Sequence, residues 1–174
     1  MHEFPELIDR CTVFTLDALE AAQTRTIEAL ETSGATTLVK TLQMVQLQKV
    51  VIAVGMFSIF DALLRDRLGC ADGFKEAAGI LNGLGVTELE ERFDNLKLAV
   101  NVLKHGEGRS YKELSKRRTL PFRIKHPDEG FFNEGDVSEV STLIEVDDTF
   151  VMNCADNIRE VADAIKRARP EFIA

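Results

Sequence analysis

Long apolar runs are missing from this chain. Nothing approaches the roughly 18 consecutive apolar residues of a bilayer-spanning helix, so a membrane protein is not expected. The opening Met1-His2-Glu3-Phe4-Pro5-Glu6 is acidic and lacks the basic-then-apolar pattern of a secretory leader, which points to the cytoplasm. Cysteine is scarce: Cys11, Cys70 and Cys154 are odd in number, scattered, and never in a Cys-x-x-Cys pair. That excludes a disulfide framework and a cysteine zinc site, and all three are expected as reduced thiols in or near the core. His2, His105 and His126 are too dispersed for a metal cluster, and the pair Asp147-Asp148 fits a helix cap better than a set of oxygen ligands. Also missing are Gly-x-x-x-x-Gly-Lys, Gly-x-Gly-x-x-Gly after a strand, and His-Glu-x-x-His. No nucleophile with its base can be nominated, and neither a metal nor a cofactor is implied.

What is present is helical periodicity. With 174 residues, 45% apolar and 29% charged, the chain suits one soluble domain with its own core. Leu7, Ile8, Cys11, Phe14, Ala18, Ala22, Ile27 and Leu30 recur at helical spacing from about Glu6 to Glu31, and Ser33-Gly34 interrupts them. From about Thr37 to Leu68 the middle is apolar on nearly every side, so that helix needs neighbours all round, in a bundle or at a subunit interface. Gly69 ends it. A short helix follows from Asp72 to about Leu81, and Thr87-Glu88-Leu89-Glu90 has the form of a capping box opening a helix that runs to His105. Between Gly106 and Val146 the period is lost, with Gly106, Gly108, Pro121, Pro127, Gly130 and Gly135 as punctuation. Phe122-Arg123-Ile124-Lys125 and Thr142-Leu143-Ile144-Glu145-Val146 are the strand candidates there, enough for a small hairpin. Asp147 or Asp148 caps a last helix bearing Phe150, Val151, Cys154, Ile158, Val161, Ala162 and Ile165, which ends before Pro170. The expected fold is all-α: a single domain over residues 1–174, with four main helices, one short helix, and 106–146 as a loop or hairpin insert.

The net charge of −8 disfavours binding to polyanions in general, but the charge is unevenly spread. Lys104, Arg109, Lys112, Lys116, Arg117, Arg118, Arg123 and Lys125 face only Glu107 and Glu113 within 104–125, a net of +6. The other 13 basic and 27 acidic residues leave the remainder at −14. Such an island suits phosphates, or is simply a solvated loop; any nucleic-acid contact on this body is expected to be local and salt-dependent.

The island starts where a helix ends on polar residues. With about 100° per residue, Asp94, Lys97, Asn101, Lys104 and His105 share an arc of about 100°, and Leu96, Leu98, Ala99, Val100, Val102 and Leu103 fill the rest. Histidine exchanges a proton near neutral pH, its ordinary pKa being about 6.5, and Asn101 one turn earlier is placed to orient it. The plainer account of His105 is the favourable field at a helix C-terminus, about 0.3–1 kcal/mol for a cation. Glycines at 106 and 108 allow a close approach of the backbone to a ligand, and Arg109 is in reach to fold back beside His105.

The run Asn101-Val102-Leu103-Lys104-His105-Gly106 resembles the second half of the Arg-Asn-x-x-x-His motif of the HEPN (higher eukaryote and prokaryote nucleotide-binding) superfamily of helical bundles. The long apolar second helix and the helix order are similar as well, over about residues 6–106 and the last helix. Val100 stands where the motif has its arginine, and Arg92 lies about 180° round the helix from Asn101. The resemblance implies a homodimer that acts on RNA without metal, with His105, Asn101 and Lys104 as catalytic residues. The basic island adds Arg109, Lys112, Lys116, Arg117, Arg118, Arg123 and Lys125 as the residues expected to bind the ligand, and the resemblance suggests a defence or toxin-antitoxin setting. The alternatives are a non-catalytic module that docks a protein partner through the apolar second helix, and a bundle with a small-ligand pocket between helices.

Overall fold

The helical periods close around phenylalanine. In the computed structural model, which describes residues 4–126, 140 and 142–172, the chain runs α1 (Phe4–Leu30), α2 (Thr36–Leu68), α3 (Gly73–Gly83), α4 (Thr87–His105), α5 (Arg109–Leu114) and α6 (Asp148–Ala168). Phe93 of α4 meets Phe74 of α3 at 5.4 Å between ring centroids, and Phe57 and Phe60 of α2 at 6.3 and 6.5 Å. Phe4 of α1 stacks on Phe60 at 6.3 Å. α6 packs against α1, α2, α3 and α4, so its apolar stripe is the floor of the bundle.

The fold is therefore all-α as expected, but with two short helices, α3 and α5, beside the four long ones among the described residues. Asp147, not Asp148, caps α6 by accepting the Phe150 N–H at 2.7 Å, while Asp148 pairs with Lys49 of α2 at 2.8 Å. Asp72 caps α3 through the Lys75 N–H at 3.0 Å. The capping box at Thr87 does not form: Val86 occupies the cap position without a side-chain bond, and Glu90 accepts instead from Asn82 at 3.3 Å. Its carboxylate has a partner in the last turn of α3, which outcompetes the local reach back along its own helix.

The insert differs more. A six-residue helix, α5, follows Gly108, held by the buried Tyr111 and Leu114. The two strand candidates meet only at an isolated antiparallel bridge between Ile124 and Ile144, with two backbone hydrogen bonds of 2.9 and 3.0 Å, and no strand forms among the described residues. Phe122 edges onto Phe150 at 5.3 Å and ties that bridge to α6. His2, Pro127, Gly130 and Gly135 lie outside the described residues.

The first two helices also depart from their sequence patterns. Thr12, Leu16 and Thr26 face inward on α1, whereas Leu7, Cys11, Val13, Phe14 and Ile27 are exposed, Phe14 by 75%. Cys11 is thus outside the core; Cys154 is deep within it, where burial pushes its thiol pKa up. α2 is not covered all round: one side buries Leu42, Val45, Ala53, Met56, Phe57, Phe60 and Leu64, and the other stands in solvent. Lys49 is buried in the middle of α2, with 7% of its side chain accessible, because α6 begins there and supplies Asp148. Between Ala21 and Val39 only Thr26 is buried, so the tip of the α1–α2 hairpin is largely open to solvent. By length and composition α2 is also apolar enough to cross a membrane, with a mean hydropathy of 1.8 over an 18-residue window of which 33% is buried. Counting unbroken apolar runs misses this, because glutamines and Lys49 divide a helix whose average is strongly apolar.

Candidate functional site

α4 is driven into the bundle by Leu96, Leu98, Ala99, Val100 and Val102, all buried, and this rotation sets Asn101 and His105 on its outer edge. Gly106 then ends the helix with φ +70° and ψ −146°, and its N–H donates to the Val102 carbonyl at 2.8 Å. That backbone region belongs to glycine: a Cβ at 106 would meet no atom within 4 Å, yet would be strained by its own main chain. Gly106→Ala is expected to cost about 1–3 kcal/mol, seen as a lower melting temperature in thermal circular dichroism; an unchanged midpoint would mean the turn relaxes to negative φ.

The turn brings Arg109 back beside the helix end. Asn101, His105, Gly106, Gly108, Arg109 and Ser110 line one cleft of about 290 Å³. Gly108 and Arg109 also line a second cleft of about 530 Å³, whose other walls are Lys112 and Glu113 of α5 and Lys116 just beyond it. The two clefts thus share a wall, with His105 at one end and Lys116 at the other. Among the described residues, Arg109, Lys112 and Lys116 pair with no carboxylate. Ser110 belongs to the cleft and was not singled out by sequence; its signal is its place directly after Arg109, one turn from glycine.

Not every expected residue joins this surface. Lys104 is exposed but does not line either cleft. Arg117 turns inward: its guanidinium donates to Asp94 and to the buried Asn95 of α4, with Glu113 at 3.6 Å. Asp94 also accepts from Lys97. Burial alone would raise the Asp94 carboxyl pKa, but the hydrogen bonds and charges of Lys97 and Arg117 outweigh it and hold the group below its ordinary range. The upper half of the polar arc is therefore a clasp fastening α5 to α4, and only its lower half opens to a ligand. Arg118 lies in a third hollow of about 290 Å³, together with Ser115, Phe122 and His126 among others. Arg123 faces Glu145 at 3.7 Å. Lys125 lends its backbone, accepting from the Tyr111 hydroxyl at 3.3 Å and donating to Leu143 at 2.9 Å.

Val100 is 3% exposed, so the position that the HEPN-like motif gives to arginine faces the core here. A guanidinium at 100 would be buried without a partner. The cation beside His105 is Arg109, which arrives from the other side of the turn. No three His, Cys, Asp or Glu side chains among the described residues form a metal-binding group. No family model, curated protein or solved structure matches the chain. Fold and cleft together define a helical bundle with a local cationic groove on an acidic body.

Proposed function

We propose that this chain is a HEPN-like RNA-binding protein that holds a phosphodiester backbone along the groove from His105 to Lys116. The observation that carries the proposal is that Asn101, His105 and Arg109 line one cleft, which continues past Arg109 to Lys112 and Lys116. Three unpaired cations in a row fit successive phosphates better than a single small anion, and the acidic remainder of the surface confines the contact to this groove. An RNA ligand agrees with the cytoplasmic location expected from the sequence. The groove also has the components of metal-independent cleavage: an imidazole to move a proton at the ribose 2′-hydroxyl or the leaving oxygen, an amide to orient it, and a guanidinium for the charge that grows on phosphorus. With the HEPN resemblance, such an activity would suit a defence or toxin-antitoxin role.

The test is fluorescence anisotropy with a labelled single-stranded RNA across a salt series. Three phosphate contacts give a slope of log K against log salt of about −2, and Lys112→Ala with Lys116→Ala is expected to bring it to about −0.7 and weaken binding at every salt concentration. No binding at low salt, or a slope indifferent to these substitutions, overturns the proposal. The buried Val100 favours a second reading, a non-catalytic module that keeps the groove for binding alone. RNA that is bound and left intact in EDTA selects that reading.

A further inference from the structure

The third hollow, about 290 Å³ in volume, takes no part in the phosphate groove but adjoins its end. Lys116 lines the groove, and its two neighbours in sequence, Ser115 and Arg117, line the hollow. Half of the described residues around the hollow are apolar: Leu114, Leu120, Phe122 and Ile124. Leu114 is fully buried, and the Phe122 ring is held edge-on by Phe150 at 5.3 Å. A phosphate gains nothing from such walls, whereas an unpaired base gains the stacking of its flat face on an aromatic ring.

Among the polar residues of the hollow, one is free. Ser115 donates to the Tyr111 carbonyl at 2.9 Å, and Nδ1 of His126 lies 3.4 Å from the Tyr111 hydroxyl. Arg117 is engaged by Asp94 and Asn95. Arg118 pairs with no carboxylate among the described residues. The carboxylates and side-chain amides that read cytosine and adenine are absent from the described lining. Guanine suits what is there, because its O6 and N7 stand side by side as acceptors and match the paired donors of an arginine fork. Adenine presents N7 beside an amino group, which sets donor against donor at the second prong, and uracil offers that fork a single carbonyl.

We infer that this hollow is a nucleobase subsite, in which a guanine of the bound strand lies against Phe122 with Arg118 forked onto its O6 and N7. The inference rests on the RNA reading and deepens it: the groove holds the backbone, and the hollow selects the base. It also sets the kind of RNA, since a base reaches such a hollow only from an unpaired strand that can splay it out of the stack.

Fluorescence anisotropy of the full chain with labelled oligouridine, in which one central residue is changed to guanosine, adenosine or cytidine, measures it. The guanosine strand is expected to bind about tenfold more tightly than the other three. Replacing that guanosine by 7-deazaguanosine removes one acceptor without touching the protein, and is expected to cancel most of the preference. Arg118→Gln is expected to abolish the preference while leaving the salt slope on plain oligouridine as in wild type. If Arg118→Gln instead weakens all four strands alike and lowers the slope by about 0.7, Arg118 is one more phosphate contact and the subsite is overturned. Equal binding of the four strands by wild type, or undiminished binding of the 7-deaza strand, overturns it too and leaves the groove standing. Four strands that all fail to bind at low salt overturn the RNA reading and the subsite together.

Discussion

Replacing His105 with alanine is expected to lower RNA cleavage in EDTA by about 10²–10⁴-fold while the RNA stays bound. The two effects separate because the groove divides its labour. Lys112 on α5 and Lys116 just beyond it lie outside the cleft that holds His105, so a hold of theirs on phosphate would not pass through the imidazole. In the proposed cleavage the 2′-hydroxyl would lose its proton, its oxygen would bond to phosphorus, and the bond to the 5′-oxygen would break with protonation of that oxygen, leaving a 2′,3′-cyclic phosphate and a 5′-hydroxyl. On the proposed reading His105 would serve one of the two proton transfers and solvent the other, and Arg109 would neutralise the extra charge on phosphorus between them. Arg109→Lys keeps the charge but loses the fork of paired donors, so its cleavage is expected to fall between wild type and Arg109→Ala. Gel analysis of end-labelled RNA gives both rate and product ends. Equal cleavage by wild type and His105→Ala would assign the activity to a contaminating nuclease, and products with a 5′-phosphate would exclude this chemistry.

The helix end that carries His105 was legible because one helix holds both signals, the polar arc and the glycine that breaks it. Arg109 was within view for the same reason, since Gly106 and Gly108 bracket a turn only a few residues long. What the arc could not reveal is its division of labour. Asp94 and Lys97 sit on the same stripe as Asn101 and His105, but Arg117 reaches Asp94 from 23 residues further along the chain, and no local period records such a contact. α5 was hidden likewise: its six residues are shorter than two turns, and it is held by Tyr111, Leu114 and the Arg117 clasp rather than by its own pattern. On α1 the period was visible but not its direction. A helix with Leu7 and Phe14 on one side and Leu16 between two threonines on another offers two faces, and tertiary packing chose the one containing Thr12 and Thr26. The same freedom hid the outer face of α2, where apolar residues all round are compatible with a core or with an interface.

The largest loss of stability is expected from Phe93→Ala, about 3–5 kcal/mol. Phe93 is 1% exposed and is the one ring that touches Phe57, Phe60 and Phe74 together, so its removal leaves a void at the junction of α2, α3 and α4. Neighbouring rings cannot collapse into that void without moving two helices at once, which places the cost in the upper part of the range for large-to-small substitutions. For a chain of this size the midpoint falls by about 6–20 °C, and Phe93→Leu, which keeps most of the volume, is expected to lose less than half as much. Phe93 also precedes Asp94 and Asn95, the two acceptors of the Arg117 guanidinium, so a shift of α4 there loosens the clasp on α5 before the helix end itself moves. Thermal melts followed by circular dichroism give the first effect, and RNA affinity measured well below the midpoint gives the second. A small loss of stability with intact binding would mean that α6 alone supports α4; a large loss with intact binding would mean that the groove is built by Gly106 and the α5 turn, independent of the aromatic junction beneath it.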